Sequence, residues 1–574
     1  MRLINARSLE IEEFGPSDAP KYAILSHTWN GREATFSEWR SRVTRLRKAR
    51  QPGFAKILVT CEQARRDGLT HVWVDTICID KTSSAELSEA INSMFAWYRG
   101  AKVCYVYLAD IPRKPPNDGN LLELMRTSRW FTRGWTLQEL IAPKDLVFYS
   151  QSWTYLGTKK ALASFIANVT GIDELCVRNK RGLWNYSIAQ RMCWAADRST
   201  TRPEDMAYCL LGIFGINMPL LYGEGNRAFI RLQEEILRTS DDHSILAFDT
   251  VLSQNSLLAD HPRLFRGMEN LRSTLMSRIT PPYSMTNAGL SMRTALIETL
   301  SPYWVLAVLN CVEIETQKGM RKNQICLPLL GKDGIYMRDR APVGLIRKSL
   351  SGMSIPGIRT EIEDLTTTVE TKYLISRFTR VYPAFGRELD LALHGFGADA
   401  IRNSGFMLTF PRGMGTYQLV EAYPPDALQR NTSFFNPPAA ESGGQPFAHG
   451  LLVFQDMSDM AEAERVRIGV YLAQTLDSSG EDGGGQWMCV LTPVTDDVDL
   501  YDGCKQSWQS EKDPDDWDHY DHVDNYIVAA RTSFALQNPV HHVVMVEMVF
   551  DADALQLERR PRTGLVNFRN RVKL

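Results

Sequence analysis

The sequence is short of the features that assign a protein quickly. Its 574 residues set 65 Lys and Arg against 67 Asp and Glu, a formal net charge of −2. That balance argues against a general nucleic-acid binder, which carries a basic excess to meet phosphate. The 10 cysteines are scattered and no two form a CxxC pair, so neither a zinc ribbon nor a thioredoxin-type site is signalled. Several lie inside apolar runs, as Cys104 does within Val103–Leu108, and read as buried free thiols of a reducing compartment. The N-terminus lacks the apolar stretch of a signal peptide, and no apolar run reaches the roughly 18–20 residues of a membrane span. The expected location is therefore cytoplasmic, or nuclear, with the sequon at Asn431 unused. No Walker P-loop, GxSxG elbow, HExxH, kinase motif set or internal repeat occurs.

What is present is globular: 44% hydrophobic residues with 13 tryptophans, in a chain long enough for several domains. Residues 1–20 read as a lead-in. Tyr22–Leu25 reads as a buried strand ending at Ser26, His27, Thr28 and Trp29. Residues 38–67 are helical in character. Their basic cluster (Arg40, Arg42, Arg45, Arg47, Lys48, Arg50) reads as a solvated face, with phosphate binding the other reading. His71–Asp75 is a second strand, followed by a loop to Asp80 and Lys81. A capping box at Ser83–Glu86 opens a helix with Leu87, Ile91, Met94, Phe95 and Tyr98 at helical spacing. Val103–Leu108 and Leu146–Tyr149 are the third and fourth strands, and a helix is expected over residues 158–169. This alternation predicts an α/β fold, a parallel sheet under covering helices, with the loops after its strands gathered on one edge.

From Ser187 the pattern turns helical. Gly223, Gly225 and Ala228 match a GxGxxA string, but no strand precedes them, so they read as the loop that starts a helix. After about residue 250 β-rich runs dominate: 304–314, 324–338, 451–455, 467–473, 487–494 and 542–550. Lys332-Asp-Gly334 predicts a hairpin, and 437–446 and 478–485 read as flexible loops. The acidic run 513–524, with His519 and His522, reads as a solvated loop rather than a metal site, and no metal is expected. The basic tail 559–573 is expected to be exposed.

The chemically densest stretch is Ser128–Leu140, which packs Arg129, Trp130, Phe131, Arg133, Trp135 and Glu139 into thirteen residues. Gly134 divides it into an aromatic loop and a short helix from Trp135 to Ile141. Trp135 and Glu139 are four apart and share a helix face. A carboxyl beside an indole is desolvated and its pKa rises. The competing reading buries the tryptophans as core and pairs Glu139 with Arg129 or Arg133.

Seven blocks in this order resemble the HET (heterokaryon incompatibility) domain of filamentous-fungal proteins: Tyr22–Trp29, Val72–Lys81, Glu86–Tyr98, Ser128–Pro143, Gln190–Ala195, Arg202–Phe214 and Leu221–Gly225. The resemblance implies a HET domain over 1–250, with a core at about 20–170 and a helical extension at about 171–250. A β-rich accessory region of one or two subdomains then fills 251–574. It implies an effector of non-self recognition that triggers growth arrest or cell death, with self-association through the domain. HET domains are distantly similar to Toll/interleukin receptor (TIR) domains, which implies a TIR-like, flavodoxin-like sheet. Glu139 then falls in the catalytic slot of those TIR domains that hydrolyse NAD, where Thr136 replaces their cysteine. Ser26, His27, Trp29, Asp75, Asp80, Arg129, Trp130, Arg133 and Trp135 would bind the substrate. NAD enters as substrate and no cofactor is implied. Two readings stay open: an NAD glycohydrolase, or a non-enzymatic assembly module whose C-terminal region senses a partner.

Overall fold

The computed structural model describes residues 1–248 (except 16–17, 30 and 113–117), residues 257–274, and a series of segments between 284 and 551. The chain forms two compact units. One comprises Met1–Ile245 with Leu258–Leu271; the other comprises Leu246–Leu257 with Arg272–Leu574.

The first unit is α/β. Its strands are β1 (Arg2–Asn5), β2 (Ile11–Glu13), β3 (Tyr22–His27), β4 (His71–Trp73), β5 (Val103–Leu108), β6 (Leu146–Ser150) and β7 (Tyr155–Thr158), in the order β2-β1-β4-β3-β5-β6-β7. The four strands expected from sequence are parallel to their neighbours, β4 with β3, β3 with β5 and β5 with β6. Their order, second-first-third-fourth, is that of a flavodoxin-like sheet. All six residues of β3 are buried, as a central parallel strand covered on both faces requires.

Three strands were missed, β1 and β2 on one side of the sheet and β7 on the other. The expected lead-in folds as the β1–β2 hairpin, whose Leu3 and Ile4 are buried in the core. The helix expected over 158–169 starts only at Ala163, and Thr158 instead closes β7, which pairs antiparallel with β6. Strands of three or four residues are too short for alternation to declare them.

The helices between β3 and β4 are α1 (Phe36–Arg40), α2 (Arg42–Lys48) and α3 (Pro52–Arg66). Asp75 opens α4 (Asp75–Cys78), and α5 (Ser84–Gly100) follows. Ser83 caps α5 by accepting from the Glu86 N–H, but the Glu86 carboxylate turns to the Asp80 N–H and to Arg2, so the capping box is only half made. After β5 come α6 (Asp118–Arg126), a 3₁₀ turn over Arg129–Thr132, and α7 (Thr136–Ile141). After β7 come α8 (Ala163–Thr170), α9 (Glu174–Val177), α10 (Ile188–Cys193), α11 (Asp205–Tyr208), α12 (Leu211–Phe214) and α13 (Arg227–Thr239). Of the GxGxxA string, Gly223 and Gly225 lie in the turn before α13 and Ala228 in its first turn, and the Glu204 carboxylate accepts from the N–H groups of Gly223 and Gly225.

The second unit is mainly β, as its sequence runs predict. Strands at Trp304–Glu315, Arg321–Lys332, Ile335–Arg338, Gln445–Asp456, Arg467–Thr475, Gln486–Pro493 and His541–Asp551 fall on the six expected runs, with 324–338 split in two. The strands on either side of Asp333-Gly334 pair antiparallel. Two sheets share an apolar cluster that includes Phe406, Phe410, Phe454, Val470, Leu491 and Met548. The 437–446 segment is not a free loop: Ala439–Ser442 pairs with the start of Gln445–Asp456. His519 lies in the strand Asp518–Asp521. Residues 478–485, 513–517, 522–524 and the basic tail lie outside the described residues.

Candidate functional site

The centre of the parallel sheet supplies the site. The chain leaves β3 for β4 on one side and enters β5 on the other, so the carboxyl end of β3 is the point where strand order reverses. Open α/β sheets bind ligands at such points. Ser26 and His27 are the last two residues of β3, paired with Val106 and Tyr107 of β5.

Helix α7 packs against this end and buries Glu139, whose residue exposure is 8%. The Ser26 hydroxyl donates to Glu139 Oε2 at 2.5 Å. Ser26 Oγ in turn accepts from the Trp130 indole N–H at 2.8 Å. Tyr98, on α5, also hydrogen-bonds Glu139, and its hydroxyl lies 3.1 Å from the Leu25 carbonyl. Burial pushes Glu139 up to about 8, aided by the Asp75 charge and opposed by the Ser26 and Tyr98 hydrogen bonds. The side chain is therefore a protonated acid at neutral pH.

His27 stands next to this group. Its Nε2 lies 3.8 Å from Asp75 Oδ1 and 3.9 Å from Glu33 Oε2, and neither ring nitrogen has a hydrogen-bond partner among the described residues. Burial, with Lys56 nearby, lowers its pKa to about 3, so the imidazole is neutral. Lys56 Nζ is 2.5 Å from Glu33 Oε2. Burial pushes the Asp75 carboxyl up, but Lys81, His27 and Lys56 together offset it, and the net direction is down. Trp29 is 53% exposed; its indole N–H donates to Asp75 Oδ2 at 3.2 Å, and Lys81 Nζ lies 3.9 Å from its ring centre.

The structure thus brings together Ser26, His27, Trp29, Asp75, Trp130 and Glu139. The other four candidates face elsewhere. Asp80 closes its own turn through Thr82. Arg129 lies 4.0 Å from Asp110, on the exterior. Arg133 reaches Thr201 at 3.3 Å. Neither arginine pairs with Glu139, which corrects the ion-pair reading. Trp135 hydrogen-bonds Asp205 and does not form the indole wall expected for Glu139; Trp130 reaches its network instead, through Ser26. Trp135 caps α7 with helical dihedrals, and what takes its side chain away from Glu139 is its hydrogen bond to Asp205.

Sequence reasoning missed Glu33, Lys56, Lys81, Tyr98 and Arg198. Lys56 carried a signal, since it falls on the apolar face of α3 with Phe54, Ile57, Thr60 and Ala64. Arg198 carried none. It is buried, donates to the Trp194 carbonyl at 3.2 Å, the Arg133 carbonyl at 2.9 Å and Thr136 Oγ1 at 3.0 Å, and so braces the turn before α7. Thr136 passes this on by donating to the Trp130 carbonyl at 2.5 Å.

Residues 22–114 match the family model described as heterokaryon incompatibility protein (HET), and residues 227–280 match a domain of unknown function, DUF8212. The HET match includes Ser26, His27, Lys56, Asp75 and Lys81 and ends before Glu139. The vegetative incompatibility protein HET-E-1 of Podospora anserina is 46% identical over 223 residues, which is 38% of this chain. The matched stretch is 16% of that relative's own length. No solved structure matches. Strands β3, β4 and β5, with Ser26 and His27 at the carboxyl end of β3, thus lie in the stretch that matches the HET family model, and this chain is similar to a HET protein over that part of its length.

Proposed function

We propose that the protein is an effector of fungal heterokaryon incompatibility whose first unit hydrolyses NAD at the nicotinamide–ribose bond, with Glu139 as the catalytic carboxyl. One observation carries this reading: Glu139 is a desolvated carboxyl that makes no ion pair among the described residues, held by Ser26 and Tyr98 beside the switch point of the sheet. Nicotinamide in NAD is a cation, and its approach favours ionisation of a carboxyl that is otherwise protonated. The carboxylate then stabilises the oxocarbenium-like ribose as nicotinamide departs neutral, and water adds to the anomeric carbon with loss of a proton to give ADP-ribose. Ser26, braced by Trp130, keeps one carboxylate oxygen fixed. Trp29 offers an exposed ring for stacking, and Lys81 beside it offers a charge to phosphate. In this reading the regulated death expected of an incompatibility effector follows from loss of NAD.

The burial of Glu139 favours the second reading, an assembly module in which the Ser26–Glu139–Tyr98 network only stiffens the core. Nicotinamide release from NAD separates the two, measured on the full chain at high protein concentration beside Glu139→Gln. Release by the wild type with a loss of at least about 10²-fold in the folded variant supports catalysis. Equal or absent release in both sinks it.

A further inference from the structure

Helix α2 is inverted with respect to an ordinary surface helix. Its inward side carries ions: Arg45, 6% exposed, donates to the Trp39 carbonyl at 2.6 Å and pairs with Glu10, and Lys48 Nζ meets Glu38 Oε1 at 2.6 Å. Its outward side carries the apolar residues. Val43 is 74% exposed and Leu46 is 72% exposed. At about 100° per residue, Arg42, Leu46, Arg50, Val43 and Arg47 fall in that order along one arc of roughly 140°. All five are exposed, Arg50 in the turn just after the helix. Among the described residues, none of these three guanidiniums pairs with a carboxylate.

Folding explains none of this arc. Two large aliphatic side chains left in water contribute nothing to the core, and ion pairs turned inward carry a desolvation cost. The net charge of the chain is −2, so the arginines do not reflect a bulk basic excess. We infer that the outward face of α2 docks on a phospholipid surface bearing anionic headgroups. Each feature has its counterpart there: guanidiniums bind phosphate in bidentate fashion, and Val43 and Leu46 enter the acyl boundary. The exposure of the two aliphatics favours a lipid surface over an acidic protein. At 74% and 72% exposed they project into solvent, which suits a fluid surface that deforms around them. With so small an apolar area the contact is peripheral and reversible. It is independent of the reading of Glu139.

The test is flotation of the full chain with phosphatidylcholine vesicles made with and without phosphatidylserine. The expected result is co-flotation with the anionic vesicles only, weakened by added salt. Removing the charges in R42Q/R47Q/R50Q should lower partitioning by about 100-fold, at about fivefold per guanidinium. Removing the apolar pair in V43S/L46S should lower it by about tenfold or more. Both variants alter exposed side chains only, and unchanged melting midpoints would establish that they fold. No flotation of the wild type overturns the proposal, as does equal flotation on neutral vesicles. Loss with the arginine variant but not with V43S/L46S also overturns it, because the contact is then electrostatic alone and the apolar pair does not enter the bilayer.

Discussion

Glu139→Gln should stabilise the protein at neutral pH, although it removes the carboxyl on which the proposed chemistry depends. Burial raises this carboxyl from 4.5 to about 8. In the unfolded chain it titrates near its ordinary value, so between those limits the native state holds a proton that the unfolded state has released. A carboxyl raised in this way contributes fully below the unfolded pKa and loses its contribution as pH rises to the folded pKa. At pH 7 the loss is about 2.5 units, or about 3 kcal/mol. Glutamine does not titrate, and its side-chain oxygen accepts the Ser26 hydroxyl as the acid does. The variant should therefore match the wild type near pH 4, exceed it by up to about 3 kcal/mol at pH 7, and hold a constant lead above about pH 8. In melting temperature the neutral-pH lead is on the order of 10 °C for a unit of this size. Calorimetry of both full chains at about pH 5, 7 and 9 measures it, the relevant transition being the one that moves. Infrared difference spectra give a direct check, because a protonated carboxyl absorbs separately from a carboxylate and the band is absent from the variant. Stability curves that stay parallel across this range, with no protonated band at neutral pH, would refute the desolvated state of Glu139.

Two further substitutions probe the supports of the same group. Ser26→Ala removes a hydrogen bond that lowers the Glu139 pKa, so the infrared titration of Glu139 should move to higher pH; an unchanged or lower midpoint would show that Ser26 does not hold the carboxylate. Arg198→Ala deletes the donations to Trp194, Arg133 and Thr136 and should cost about 2–4 kcal/mol in thermal stability, with faster amide exchange in the Trp130–Glu139 segment. Destabilisation under about 0.5 kcal/mol would mean that the brace is not needed.

Much of the architecture was legible before any coordinates. The apolar runs at 22–25, 71–75, 103–108 and 146–149, spaced by helical stretches, determined a parallel α/β sheet, and the β runs after residue 250 determined a different second half. Gly134 and Pro143 bracketed α7 nearly to the residue. These are local signals, written in periodicity and in the backbone limits of glycine and proline. The partners of Glu139 were another matter. Ser26 lies 113 positions away in sequence and meets Glu139 because β3 ends beneath α7. Helical spacing nominated Trp135, yet Trp130 reaches Ser26 from the 3₁₀ turn before it. The arginines flanking the tryptophans looked like counter-ions and proved to face Asp110 and Thr201. In α2, composition promised a basic surface, but only packing decided that Arg45 and Lys48 turn inward while Val43 and Leu46 turn out. Periodicity tells which residues share a face; which face is covered, and by what, depends on strand order and register, and those are settled by contacts between distant parts of the chain.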